Sequence, residues 1–336
     1  MSFIEASQLT KVFRQAVKDP GLKGAVKHLF TQKYVDKSAV AGINLRIEEG
    51  ETVAYVGPNG AGKSTTIKML TGILAPSSGT IRVGGLDPYK RRMENTKRIG
   101  TVFGQRTQLW WDIPIVESFS LLKDIYAIPD DVYKRNLDEF RELLGLDEFL
   151  HLSARKLSLG QRMRADLAAA LLHDPSVVFL DEPTIGLDLA VKQRIREFIK
   201  KINRERRTTL LLTTHDLGDI EDLCDRLIII DHGTLIYDGT LASVKDRFAR
   251  ERTIHFQLNT PVHVASAWTD AFPDIAFSQA SPLEWNVRFD RFQVTAAEIV
   301  THALKSADII DFRMDEPDIE HVIKQVYEGR LDLKEA

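Results

Sequence analysis

A run of β-formers, Thr52-Val53-Ala54-Tyr55-Val56, leads directly into Gly57-Pro58-Asn59-Gly60-Ala61-Gly62-Lys63-Ser64-Thr65 and then into helix-forming residues through about Leu70. Few features constrain a fold so tightly. Backbone N–H groups converge on an anion only where glycines let the chain turn inward, and a helix N-terminus adds its partial positive charge. The spacing is the P-loop pattern, GxxxxGK[ST], in its strand–loop–helix context. A chance match to the bare pattern is on the order of one per cent in a chain of this length at average residue usage. The pattern aims the backbone of Gly57, Asn59, Gly60, Gly62 and Thr65 at phosphates. It assigns Lys63 to the β- and γ-phosphates and the Ser64 hydroxyl to Mg²⁺.

A loop of this kind sits at the end of a buried parallel strand, and the rest of the chain supplies the neighbours. Short apolar runs at 52–56, 177–180, 210–213 and 227–230 read as buried strands separated by helical patterns, the signature of an α/β sheet with crossover helices. The run Val177-Val178-Phe179-Leu180 ends on Asp181-Glu182, two carboxylates in sequence. Asp181 is placed to hold Mg²⁺ through water, and Glu182 to polarise a water for in-line attack on a γ-phosphate. Strand signals vanish between about 105 and 156, where helical spacing dominates, as in Phe119, Leu122, Ile125 and Tyr126.

After about residue 250 the pattern restarts. Strands at 253–258, 284–289 and 308–312 alternate with helices at 261–271, 296–306 and 318–327, a small α+β domain at 250–336 following a first domain at 1–249. The segment 14–37 stands apart. It has six Lys or Arg against two Asp, and an apolar stripe at Leu22, Ala25, Val26, Leu29 and Phe30, which predicts a basic amphipathic helix at 20–30.

Composition bounds the function. With 45 Lys and Arg against 48 Asp and Glu, the net charge of −3 argues against a chain whose main task is to neutralise nucleic-acid phosphates, so no nucleic-acid partner is expected. Cys224 is the only cysteine, which excludes an intramolecular disulfide and a Cys-based metal cluster and suits a reducing cytosol. No apolar run approaches the ~20 residues of a membrane-spanning helix, and the N-terminus lacks signal-peptide zones.

Further motifs then fall in a fixed order. Gln105 follows a strand; Leu157-Ser158-Leu159-Gly160-Gln161 precedes the Asp181 strand; Gly186-Leu187-Asp188 follows it; His215 follows the strand at 210–214. Together with the P-loop these closely resemble the Q-loop, the LSGGQ signature, the D-loop and the switch histidine of ATP-binding-cassette (ABC) transporter ATPases, over about residues 1–245. The resemblance implies a P-loop NTPase (RecA-like) core with an antiparallel β subdomain and an inserted α-helical subdomain at about 105–162. It implies two modules closing head to tail on ATP and Mg²⁺. Ser158, Gly160 and Gln161 of one module would face the γ-phosphate held by the other, with Asp188 at the interface. Gln105 would sense Mg²⁺ or the attacking water, and His215 the γ-phosphate. Leu159 departs from the signature, where the family has Gly. The adenine ring is expected on Phe13, with Tyr34 as its rival.

The basic segment is similar to one found in polysaccharide exporters. Trp110 and Trp111 follow Gln105 where the family docks its permease; either one faces a partner groove or both pack under the helices. The texture from Gln105 to Tyr126 and the acidic C-terminal motif Met314–Glu320 resemble bacterial drug and viologen exporters. The expectation is an ATP-hydrolysing subunit, peripheral at the cytoplasmic face of the membrane, that powers export through a separate integral membrane permease as a homodimer, or a heterodimer. Polysaccharide-exporter, importer and soluble translation or DNA-repair ATPases are the alternatives. The C-terminal domain reads as a dimerisation or regulatory module, and its His255, His263, His302 and His321, with no metal spacing, as ordinary surface residues.

Overall fold

Strand β3 (Thr52–Val56) is buried along its whole length, and so is β7 (Thr209–Thr213). In β6 (Val177–Asp181) and β8 (Arg226–Asp231) only terminal residues are partly exposed. Strands without polar alternation have both faces covered, which is the condition of a parallel sheet wrapped by helices. With β5 (Ile99–Phe103) and β9 (Thr234–Thr240) they form a six-stranded sheet in the order β5-β6-β7-β3-β8-β9. The β5–β6, β6–β7, β7–β3 and β3–β8 pairs are all parallel. Asp181 lies opposite Thr213, so the ends of β6 and β7 meet beside the end of β3. Open α/β sheets bind ligands at such carboxyl ends.

This is a computed structural model, and it describes residues 2–17, 33–104, 106–248, 251–261 and 275–315 together with Phe272 and Ile323. A three-stranded antiparallel sheet packs on the same core: β1 (Ser2–Val17), β2 (Lys33–Glu48) and β4 (Ser78–Val83), in the order β2-β1-β4. Ile4, Leu9, Val40, Ile43, Ile47, Ile81 and Val83 from these strands join Val53, Tyr55, Phe179, Leu211 and Ile228 of the parallel sheet in one hydrophobic cluster. Helix α1 (Lys63–Leu70) follows β3 and contributes Ile67, Met69 and Leu70 to it; the short α2 (Arg92–Thr96) precedes β5.

The β1–β2 hairpin corrects one boundary. Arg14 pairs with Asp36, Gln15 with Val35, Ala16 with Tyr34 and Val17 with Lys33, so both ends of the segment expected as a basic insertion at 14–37 are strand. The ladder already established at Phe13 and Lys37 continues outward, and the helical stripe that begins at Leu22 never governed these flanks. The expected helix at 20–30 lies outside the described residues.

The inserted block is helical, with α3 (Ile115–Tyr126), α4 (Asp130–Leu144) and α5 (Leu159–Leu171). Asp130 and Asp131 favour the N-terminus of α4, and Gly145 at φ +60° ends it in the left-handed conformation that glycine tolerates. The stripe on α3 is narrower than expected: Phe119 and Leu122 are buried, Ile125 is exposed, and Tyr126 stacks on His173 with ring centroids 4.1 Å apart. Helices α6 (Leu189–Arg206) and α7 (Leu217–Leu223) complete the sheet's cover.

The chain divides into two compact units, Met1–Gly239 and Thr240–Ala336. Helix α8 (Leu241–Phe248) falls in the second, whereas the sequence reading drew the boundary after it, at 249/250. The second unit is a four-stranded antiparallel sheet of β10 (Glu251–Leu258), β11 (Ala276–Ser281), β12 (Glu284–Asp290) and β13 (Ile309–Asp315), in the order β11-β12-β10-β13. Helix α9 (Ala296–Ser306), started by a Thr295–Glu298 capping box, packs Ile299 and Ala303 on Ile254, Phe256, Trp285 and Val287. Strand β11 has no clear alternation in its sequence, AFSQAS, and the sequence reading missed it. Two of the histidines read as surface residues are half-buried. His255 bonds Asn286 and Asp315, each at 2.7 Å, and the His302 ring meets Phe272 edge-on. His263 and His321 lie outside the described residues, as do the expected helices at 261–271 and 318–327 apart from Pro261 and Ile323.

The loop that leaves β5 is tied to α5 by one buried side chain. Asp166 Oδ1 accepts from Thr107 Oγ1 at 2.8 Å and from the Gln108 backbone N–H at 3.1 Å, while Gln108 Nε2 donates to the Asp166 carbonyl at 3.0 Å. Burial pushes the Asp166 carboxyl up to about 6, against the hydrogen bonds that hold it down. The folded state therefore binds this proton more tightly than the unfolded chain, and the associated stability is lost as pH rises through about 6. Asp166→Asn cannot titrate and keeps both hydrogen bonds through its single carbonyl oxygen. Its Tm should exceed that of the unmodified chain at pH 7.5 by a few degrees, on the order expected for about 1 kcal/mol in a domain of this size. That advantage should begin to shrink below pH 6 and vanish only at about pH 4, where the unfolded chain also binds the proton; parallel Tm–pH curves would refute this account of Asp166.

Candidate functional site

The phosphate loop is shaped by close packing before any ligand is considered. A Cβ added to Gly57 would lie 2.1 Å from the Ile230 carbonyl oxygen, and one added to Gly62 would lie 2.4 Å from that of Ala39. Gly60 and Gly62 also adopt φ of +87° and +111°. Only glycine fits both demands. Gly62 is the N-cap of α1 and no side chain caps the helix, so its first-turn N–H groups are available to an anion. Lys63 is buried and donates to the Gly57 and Pro58 carbonyls. Burial lowers its pKa, and the charges of Glu182 and Asp181 oppose that shift.

The acidic strand end stands beside this loop. Ser64 Oγ lies 3.5 Å from Asp181 Oδ2, and Thr213 Oγ1 donates to Asp181 Oδ1 at 2.5 Å. Thr213 is a functional neighbour the sequence reading missed, because nothing local marks a residue that acts across the sheet. Glu182 takes a left-handed backbone, φ +56°, rare for a non-glycine residue and typical of strained functional positions. Its N–H donates to the Thr213 carbonyl at 2.9 Å, and a Cβ on Gly104 would meet its carbonyl oxygen at 2.6 Å. The Glu182 carboxylate faces His215 twice: it accepts from the His215 backbone N–H at 3.3 Å, and its Oε1 is 3.3 Å from the imidazole Nε2. Burial raises the Glu182 pKa, with the Asp181 charge adding to it and the His215 N–H and Lys63 opposing. Burial and then the Lys63 charge lower the pKa of His215, which favours neutral imidazole.

These groups line one open groove of about 740 Å³. Asn59, Gly60, Gly62, Lys63, Ser64 and Thr65 form its floor, and Asp181, Glu182 and His215 one wall. Phe13 lines the far end with Gln15 and Lys37. Tyr34 is not among the lining residues; it pairs with Ala16 further out on the hairpin and carries the Arg14 guanidinium over its ring at 5.3 Å. Lys68 and Arg106 also line the groove, two cations that sequence spacing did not single out.

Ser158, Gly160, Gln161 and Asp188 lie elsewhere in the first unit. Ser158 is the N-cap of α5 in a capping box: its Oγ accepts from the Gln161 N–H at 3.2 Å and Gln161 Oε1 from the Ser158 N–H at 3.0 Å. Asp188 caps α6 through the Val191 N–H at 2.9 Å. The two helix starts touch. A Cβ on Gly186 would lie 3.2 Å from Leu159 Cδ2, and one on Gly160 3.3 Å from Val191 Cγ1. Leu159 thus packs toward Gly186, whose φ is +71°. Trp110 and Trp111 are 40% and 51% exposed, which excludes joint burial under the helices; Arg162 lies 5.9 Å over the Trp111 ring. Gln105 lies outside the described residues.

A glycine-shaped anion loop, an acidic strand end and a carboxylate–histidine pair in one groove are the parts of a nucleotide-hydrolysing site, and comparison with known proteins agrees. A family profile described as ABC transporter matches residues 40–185. The chain is 34% identical over 218 residues to the ABC transporter ATP-binding protein NatA of Bacillus subtilis (strain 168), covering 64% of this chain and 88% of that protein. It is 30% identical over 295 residues to the linearmycin resistance ATP-binding protein LnrL of the same organism, covering 86% and 93%. A solved dimeric structure of the ATP-binding cassette MJ0796 in a post-hydrolysis state, bound to ADP and Pi, superposes with a TM-score of 0.58 at 26% identity, covering 71% of this chain and 98% of the other. The chain therefore belongs to the ABC transporter ATP-binding proteins, and it is an ATPase of that family.

Proposed function

We propose that two copies of this chain close head to tail around ATP and drive export of a substrate through a separate integral membrane permease, from the cytoplasmic face of the membrane. The observation that carries this reading is the division of the phosphate ligands. The groove holds the loop, Glu182 and His215, while the Ser158 helix start lies outside its lining, available to a nucleotide held by a second copy. The dimeric cassette among the solved relatives supports the pairing, and the resistance role in the name of LnrL supports the outward direction. Among the described residues no helix is long and apolar enough to cross a membrane, and the proposal assigns the path to a separate permease. The exposed Trp110–Trp111 pair is suited to anchor that chain, as Trp commonly does at interfaces.

In the proposed reaction Phe13 stacks on adenine, and the loop backbone with Lys63 binds the phosphates. Ser64, Asp181 and Gln105 would hold Mg²⁺, and the oxygen donors of Ser64 and Asp181, 3.5 Å apart at the mouth of the loop, suit that hard cation. When bound, Mg²⁺ supplies charge neutralisation on the phosphates. Glu182 accepts a proton from water as the water oxygen bonds to the γ-phosphorus and the bond to the ADP oxygen breaks. His215, held on Glu182 through its backbone N–H, would turn the single N–H of its neutral ring from Glu182 to the γ-phosphate. Ser158 and the Gly160 backbone of the second copy complete the phosphate's coordination, with Gln161 bracing Ser158 and Asp188 bracing the adjoining loop.

Glu182→Gln should bind ATP, lower turnover by about 10²-fold or more, as expected for loss of a general base, and accumulate as a closed dimer in size-exclusion chromatography; full turnover would mean the base is misassigned. Because burial raises the Glu182 pKa, the acid limb of kcat should fall at a pH above the ordinary Glu value, and it should be absent from the residual activity of Glu182→Gln. Lys63→Ala should lose binding of a fluorescent nucleotide analogue. Ser158→Ala should impair hydrolysis while leaving the monomer's nucleotide affinity nearly unchanged; equal loss of both would argue against a site completed by the second copy. Pull-down from a detergent extract should recover an integral membrane protein, and recovery with ribosomes or DNA instead would sink the transport reading.

A further inference from the structure

One buried carboxylate joins the two segments that carry Glu182 and His215. Asp219 sits in α7 with no exposure to solvent. It accepts from Thr184 Oγ1, from Thr214 Oγ1 at 3.2 Å and from Arg196 Nε at 2.7 Å. Thr184 and Thr214 are themselves buried. Thr184 is two residues beyond Glu182 on the turn after β6, and Thr214 immediately precedes His215 after β7. Arg196 comes from α6, the helix capped by Asp188, and it also reaches Asp216 at 3.2 Å; Lys192 of the same helix donates to the other carboxylate oxygen of Asp216. Thr214 Oγ1 closes the circuit by accepting from the Asp216 N–H at 2.9 Å.

A carboxylate this deeply buried is expensive to keep unless donors surround it, and here the donors come from three separate segments. Loss of one hydroxyl leaves the charge under-satisfied, so each segment is held at the distance that keeps its hydrogen bond. The strained backbone of Glu182 needs such an external hold, because a left-handed non-glycine residue persists only where its surroundings over-determine it.

We infer that Asp219 is a positioning residue for ATP hydrolysis: through the Thr184 and Thr214 hydroxyls it fixes the spacing of Glu182 and His215, and through Arg196 it ties that pair to the helix that follows Asp188. The inference rests on the assignment of Glu182 and His215 proposed above. It makes the hydrolytic pair sensitive to movement of α6, whose capped N-terminus adjoins Leu159 and Gly186.

The test compares Thr184→Val and Thr214→Val with Thr184→Ser and Thr214→Ser in the full chain, following steady-state ATP turnover, binding of a fluorescent ATP analogue and Tm. Valine keeps the shape and removes the hydroxyl; serine keeps the hydroxyl. Each valine variant should lower kcat by about tenfold, the scale of one lost buried hydrogen bond expressed in a barrier, with analogue Kd within about twofold of the starting value. Each serine variant should restore kcat, and the double valine variant should fall less than the product of the singles because both act through one carboxylate. Unchanged kcat in a folded valine variant would overturn the inference. So would a loss of turnover that tracks Tm and is equally severe in the serine variants, since that is the mark of a purely structural carboxylate. Failure of the base assignment is read separately, in the turnover of Glu182→Gln.

Discussion

The approach of two backbone carbonyls to the phosphate loop is the constraint on which the rest of the site depends. Ile230 at the end of β8 and Ala39 in β2 press on Gly57 and Gly62 from two different sheets. The loop is thereby held against the parallel sheet and the antiparallel one together, and its curvature is set by the protein core. A side chain at either glycine would collide with backbone, which cannot swing aside as a flexible side chain can. The glycines are therefore as much core residues as ligands. The shared hydrophobic cluster, from Ile4 and Val40 to Tyr55 and Ile228, is what keeps the two sheets in that relation.

From that fixed loop the chemistry follows the strand order. Placing β7 between β6 and β3 brings Thr213 against Asp181 and sets Glu182 and His215 on neighbouring strand ends. Neither carboxylate is left to find its own position. Asp181 is braced by a hydroxyl from β7, and Glu182 by a backbone bond to the same strand and by the His215 N–H. Burial moves the pKa values of Glu182 and His215 in opposite directions, toward each other. The upward shift is the one that the proposed role of Glu182 as a base calls for.

Most of the parallel sheet was legible because its strands are unbroken apolar runs that end on turn or charged residues, as at 177–182. The loop was legible because its spacing admits few other structures. What sequence order hides is contact across the sheet. Thr213, Thr184 and Asp219 look like ordinary strand-end and helix residues, and their importance exists only once β6, β7 and α7 are adjacent. The outer part of the β1–β2 pairing is hidden in the sequence because the apolar stripe starting at Leu22 has helical spacing, while the ladder that runs outward from Phe13 carries no alternation that marks it. Asp188 and Gln161 were read from the family resemblance alone; the structure gives each a helix-capping bond that is sufficient reason for its residue type. Ile125 shows the limit of periodicity, since the spacing that marks a helix does not say how wide a face its neighbours cover.

Lys63 is already engaged with the carbonyls of Gly57 and Pro58. A ligand that enters the loop must therefore win the ammonium group from the protein's own backbone. The affinity measured for any nucleotide is the outcome of that exchange, with the internal partners acting as a built-in competitor. A ligand whose charge does not extend to the reach of Lys63 leaves those two bonds in place. The same internal bonds keep the Gly57 and Pro58 carbonyls satisfied in the loop, which lets the cradle retain its shape between one occupant and the next.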